Sequence, residues 1–151
     1  MTGPFRIFVE TPAGSREKLV YDEASLELLD RIPVSTPYPY AYGFLPDHMG
    51  ADGECVDCYL ITDAPLAAGS VIEGRVVGLV EQWEAGAEDH KVLVVPLDAP
   101  PELPAGVADD LMAFMRALFA DFPDMLVTVG PERSARSALQ YLTSWGPPPP
   151  A

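Results

Sequence analysis

The chain is short of positive charge. Nine lysines and arginines face 23 aspartates and glutamates, a formal net charge of −14 over 151 residues. Binding nucleic acid or an anionic membrane surface depends on neutralising phosphates with basic side chains, so no nucleic-acid partner and no membrane partner are expected. A small polyanion can still be taken up if cations or a few focused basic groups reverse the field locally. Sulfur is scarce as well: the two cysteines are Cys55 and Cys58, and the two histidines are His48 and His90. A four-cysteine zinc site within one chain is thereby excluded. The C-x-x-C spacing falls in ECVDCYLI, where strand alternation puts the two thiols on opposite faces. Two ordinary reduced cysteines, one of them in the core, are expected. No uninterrupted 18-residue apolar run is present, and the opening MTGPFRIFVE has neither a basic segment nor a long apolar one. A cytoplasmic protein is the expectation. Internal repeats are also absent.

What is present is material for a core. Hydrophobic residues make up 48% of the chain, which argues against disorder and for one domain over 1–146. Residues 147–151 read as a Pro-rich tail. Phe5–Glu10 reads as a strand ended by a turn at Pro12, Gly14 and Ser15, and Arg16–Tyr21 as its hairpin partner. LELLD, within Asp22–Asp30, is too short for a helix. Pro33, Pro37, Pro39 and Pro46 exclude a long regular element across the aromatic region that follows. Cys55–Thr62, Ser70–Glu81 and His90–Val95 are further strand candidates, with Gly74 and Gly78 marking a bulge or a close backbone approach. Val107, Leu111, Phe114, Met115, Leu118, Phe119 and Phe122 recur at helical spacing and form one broad apolar face that Pro123 stops. This stripe reads as core packing. LVTV at 126–129 is extended, and SARSALQYL reads as a second helix with Ser134 as its cap. Short β elements followed by one or two helices favour a mainly β, α+β fold: a small barrel with helices packed against it.

Chemistry concentrates in two places. YPYAYGFLPDHMGADGECVD, from Tyr38 to Asp57, ends in a tight acidic turn, Asp52-Gly53-Glu54, with Asp57 at the start of a strand. Three carboxylates within six positions on a stiff backbone suit a hard divalent cation such as Mg2+. EAGAEDHK, from Glu84 to Lys91, is a second acidic and basic cluster between apolar segments. If the strand there has begun by His90, alternation points that ring away from both Asp89 and Lys91.

These pieces, with Glu10, Lys18 and Asp30-Arg31 upstream, resemble the soluble inorganic pyrophosphatases, a Mg2+-dependent family built on a small closed OB-like β-barrel. The likeness runs from about Phe5 to Val95 and more weakly through the helix. The family's DGDPxD stands here as Asp52-Gly53-Glu54-Cys55-Val56-Asp57, and its YPxNYG as Tyr38-Pro39-Tyr40-Ala41-Tyr42-Gly43. In its DExGxDxK, Glu84 takes the place of the first aspartate, Asp89 of the second, and Lys91 of the lysine. Departures are Glu54 for an aspartate, Cys55 for a proline, Val20 for a carboxylate, and Phe122-Pro123 for a Tyr-Lys pair.

The resemblance implies hydrolysis of pyrophosphate to two orthophosphates by metal-activated water. It implies several Mg2+ ions per subunit, with Mn2+ or another divalent ion as substitute, and a homo-oligomer, a hexamer by analogy with bacterial relatives. Asp52, Asp57, Asp89, Glu84, Glu10 and Glu54 are the implied metal ligands. Glu54, Asp52, Lys18, Arg31 and Tyr42 are the implied catalytic set, and Lys18, Arg31, Tyr42 and Lys91 the substrate contacts. Two other readings stay open: hydrolysis of another phosphoanhydride, and a non-catalytic phosphate- or metal-binding relative.

Overall fold

In the segment FRIFVET, alternate side chains go to different places, and all but one of them are buried. The computed structural model describes residues 3–147 and forms strand β1 over Phe5–Thr11. Phe5, Ile7 and Val9 join one apolar cluster, whereas Phe8 packs on the other side against Phe44 and Tyr21. A strand buried on both faces needs a neighbour on each edge. β4 (Ala41–Met49) and β6 (Val71–Glu84) both pair antiparallel with β1. β5 (Cys55–Leu60) pairs antiparallel with β4 and parallel with β8 (Lys91–Pro96), and β8 pairs antiparallel with β6. The ring β1-β4-β5-β8-β6 thus closes into a five-strand barrel, which removes the exposed edges an open sheet would present.

Leu45, Val56, Cys58, Leu60, Leu79, Val92 and Val94 fill the barrel interior, and Ala138 and Leu142 of helix α2 (Ala135–Leu142) pack into the same cluster. Ser134 caps that helix, its side chain accepting the Ser137 N–H. The outer wall is apolar too. Tyr42, Tyr59, Val80, Leu93 and Val95 pack against Val107, Leu111, Phe114, Met115 and Leu118 of helix α1 (Val107–Ala120), so the expected stripe is the face that covers the barrel. Gly74 marks a close approach, since a Cβ there would stand 2.7 Å from the Val95 carbonyl. Gly78 lies where the β6–β8 register shifts.

Three local expectations are corrected. β2 (Glu17–Tyr21) does not form a hairpin with β1; it pairs with β3 (Leu28–Pro33), and the two make a separate two-stranded flap. The LELLD segment therefore turns and becomes strand: Asp22 Oδ1 accepts the N–H groups of Ala24 and Ser25, closing a side-chain turn that starts the return. β4 runs through Pro46 for nine residues, because the β4–β5 register shifts between Leu45 and Met49 and the missing N–H falls at that irregularity. β7 (Ala87–Glu88) folds back on β6, and β9 (Val127–Ser134) extends the sheet beside it, longer than the expected LVTV. Apart from Pro147, the expected tail lies outside the described residues.

Candidate active site

Two adjoining cavities of about 410 and 200 Å3 lie between the flap and the barrel wall. Both are lined by Lys18, Tyr42, Glu54 and Asp57. Glu10, Val20 and Glu23 line the larger one, on the flap side. Asp52, Gln82, Glu84, Asp89 and Lys91 line the smaller one, which α1 and the turn after it close with Leu118, Phe119 and Met125.

Strand pairing explains the convergence. Asp57 lies on β5 one residue before Cys58, and the parallel β5–β8 ladder pairs Cys58 with Val92, so Asp57 and Lys91 enter side by side. Lys91 is buried, with its Nζ 2.7 Å from Asp57 Oδ2 and 3.1 Å from Asp89 Oδ1. Burial alone would lower the lysine pKa, but the two carboxylates carry it upward, so the ammonium stays charged. Desolvation pushes Asp89 up to about 6, with Asp57 and Asp52 adding repulsion and Lys91 opposing both. The Lys91 and Lys18 ammonium groups stand 5.8 and 5.9 Å from the centre of the same Tyr42 ring. Burial raises the Tyr42 pKa well above its ordinary value, so its hydroxyl remains a donor.

The acidic turn is organised by its own side chains. Glu54 N–H donates to Asp52 Oδ1 at 3.0 Å, Gly50 N–H to the Glu54 carbonyl at 2.7 Å, and Gly53 takes a φ of 81°, which favours glycine. Glu54 is exposed at the rim, and partial desolvation followed by repulsion from Asp52 and Asp57 raises its carboxyl pKa. Glu10 is buried on β1 and accepts the Tyr21 N–H at 3.0 Å; desolvation pushes it up to about 7.

The structure brings Lys18, Tyr42, Glu54, Asp57, Asp52, Glu84, Asp89, Lys91 and Glu10 to the two cavities. Arg31 lines neither: it is exposed on the flap, with a guanidinium nitrogen 3.7 Å from Glu17. His90 turns away as expected, packing against Trp83 and Tyr141. Cys55 and Cys58 are both free and both buried, in different clusters. Among the polar residues that sequence reasoning missed, Gln82 and Glu23 stand out. Gln82 is 1% exposed and donates to Asp89 Oδ2 at 3.3 Å, while its carbonyl oxygen has no hydrogen-bond partner among the described residues. Its place two positions before Glu84 on one strand is the signal that puts both on one face. Glu23 reaches the larger cavity from the flap turn, with no local pattern to announce it.

The donor set fits a hard divalent cation: it is all carboxylate oxygen, with Cys58 inside the barrel and His90 on another face. Among the described residues, no three such groups converge on one point. The carboxylates are spread over both cavities, as suits an ion that keeps several waters and meets one or two carboxylates at a time.

The family model for inorganic pyrophosphatase matches residues 7–122. An inorganic pyrophosphatase of Halalkalibacterium halodurans is 30% identical over 145 residues, covering 89% of this chain and 88% of that protein. One from Synechocystis is 38% identical over 100 residues, covering 65% of this chain but only 59% of its own length. The crystal structure of inorganic pyrophosphatase from Thermus thermophilus superposes with a TM-score of 0.83 at 28% identity, over 94% of this chain and 88% of that one.

Proposed function

The chain belongs to the inorganic pyrophosphatase family, and from that premise we propose that the paired cavities hydrolyse inorganic pyrophosphate to two orthophosphates. The family carries a general dependence on divalent metal; Mg2+ is the ion proposed here, with Mn2+ as a substitute. The observation that carries the reading is Lys91, buried and charged between Asp57 and Asp89 on a cavity that also holds Lys18, Tyr42 and Glu54.

Asp52, Asp57, Asp89, Glu54 and Glu84 would hold metal on the α1 side, and Glu10 on the flap side. When bound, the metal supplies charge neutralisation and lowers the pKa of water. The chain's own groups do the rest. Lys91 and Lys18 attract the phosphate oxygens into the cavity, and the Tyr42 hydroxyl donates a hydrogen bond to the charge that develops. A water oxygen forms the new P–O bond as the bridging P–O bond breaks, and the bridging oxygen leaves with the second phosphate. Glu54, at the rim with a raised affinity for protons, accepts the proton that the water loses. α1 and its following turn keep bulk water from one side of the site.

A cytoplasmic setting and assembly into a homo-oligomer, a hexamer by analogy, complete the proposal. Among the described residues no helix is long and apolar enough to cross a membrane. The apolar wall of Leu118, Phe119 and Met125, beside Phe122-Pro123, favours one second reading: hydrolysis of a phosphoanhydride that carries an organic group. Phosphate release from pyrophosphate by purified protein, with Mg2+ and then with excess chelator, tests the first. Metal-dependent release is the expected result. No release from pyrophosphate, with release from a nucleoside di- or triphosphate, would replace it with the second.

A further inference from the structure

The flap carries Lys18 to the site but is not part of the barrel, so something must hold it in place. Thr11 Oγ1 accepts the Leu19 N–H at 3.1 Å, and Glu10 accepts the Tyr21 N–H at 3.0 Å. Both ties come from β1, close by in sequence, and hold β2 at its middle and at its last residue. The turn that follows Tyr21 is tied differently. Asp22 is occupied within the turn by Ala24 and Ser25, and the neighbouring Glu23 reaches across to β5, where its Oε1 accepts the Cys55 N–H at 2.9 Å.

That N–H needs such an acceptor. Cys55 sits where the β4–β5 ladder jumps from the Leu45–Val56 pair to the Met49–Cys55 pair, and it is buried. Cys55 follows Glu54 directly and precedes Asp57 by two residues. The Glu23–Cys55 bond therefore ties the flap to the backbone that aims both carboxylates. We propose that Glu23 is a positioning residue that latches the flap, and Lys18 with it, onto the start of β5 beside Glu54 and Asp57. This rests on the reading of the cavities as a pyrophosphatase site, and it assigns Glu23 the work of an acceptor at one N–H.

The test compares Glu23→Ala, which removes the acceptor, with Glu23→Gln, which keeps an oxygen there and removes the charge. Loss of a hydrogen bond to a charged group should speed amide exchange at Cys55, read by NMR on metal-free protein, about tenfold or more in Glu23→Ala. In the same variant KM for pyrophosphate should rise about tenfold while kcat changes less, because Lys18 is displaced from the binding surface. The thermal midpoint should fall by no more than a few degrees, since the bared Cys55 N–H lies at the first residue of β5 while the barrel's ladders stay paired. Glu23→Gln should bring exchange and KM back toward the parent protein. Parent-like exchange in Glu23→Ala, or a Glu23→Gln protein as perturbed as Glu23→Ala, would overturn the latch. Should the parent protein hydrolyse no pyrophosphate, the functional reading falls, and the exchange measurement still decides the latch.

Discussion

Two ion pairs in this barrel have nearly the same length and opposite meaning. Arg6 meets Asp47 at 2.6 Å, tying β1 to β4, with both side chains more than half exposed. Lys91 meets Asp57 at 2.7 Å with the lysine side chain only 4% exposed, and a second carboxylate, Asp89, stands at 3.1 Å. Water and salt screen the first pair, whose contribution is at most about 1 kcal/mol. The second is shielded, opens onto a cavity, and shifts the protonation of its neighbours. Distance alone does not separate them; burial and the free space beside them do.

The largest effect should come from the buried pair. Lys91→Met removes a fixed cation from the phosphate site and should lower turnover about 100-fold or more. Steady-state phosphate release checks this, with circular dichroism to confirm that the barrel persists. Next comes Glu54→Gln, which keeps the shape and removes the proton acceptor; a fall of about 100-fold is expected at saturating metal. Glu54→Asp should not exceed the parent enzyme, and a faster aspartate variant would mean that the turn is not adjusted to the longer acid.

On the flap the effect should shrink and change character. Lys18→Met should raise KM about tenfold with a smaller change in kcat, since this lysine is only partly buried and binds more than it activates. Arg31→Gln should raise KM less than that, because the guanidinium lies toward Glu17 and outside both cavities. An Arg31 variant that loses turnover as Lys91→Met does would show that the flap swings Arg31 inward during reaction.

Local chemistry explains why some of this was legible in the sequence. The stripe from Val107 to Leu118, the Ser134 cap and the Asp52-Gly53-Glu54 turn are each written within a few residues of themselves, so spacing reveals them. Asp57 stands out in a dense acidic run and Asp89 and Lys91 in a second charged cluster; the resemblance gives them roles, and strand pairing explains their meeting. Other features depend on partners remote in sequence. β2 pairs with β3 rather than β1 across the turn closed by Asp22, and Pro46 is tolerated because a register shift meets it. Glu23 contacts a residue 32 positions away, and no window of sequence around it announces that. Arg31 stood in the right order along the chain, yet β3 is exposed along most of its length and leaves that side chain on the flap surface.

The smallest effect belongs to the exposed pair. The Arg6 guanidinium holds the Asp47 carboxyl below its ordinary value, chiefly through their hydrogen bond. Because the folded-state pKa is depressed, the stability this gives is present above about pH 4, the unfolded carboxylate range, and is lost as pH falls through the lowered value. Asp47→Asn should therefore lower the melting temperature slightly at pH 7, and the gap to the parent protein should close in acid or in high salt.

The most direct test sets the two pairs side by side: pyrophosphate turnover of Lys91→Met and Arg6→Met, measured together with saturating Mg2+. The account predicts a loss of about 100-fold or more for the first and less than about twofold for the second. Equal losses in the two variants, or full turnover without Lys91, would contradict it.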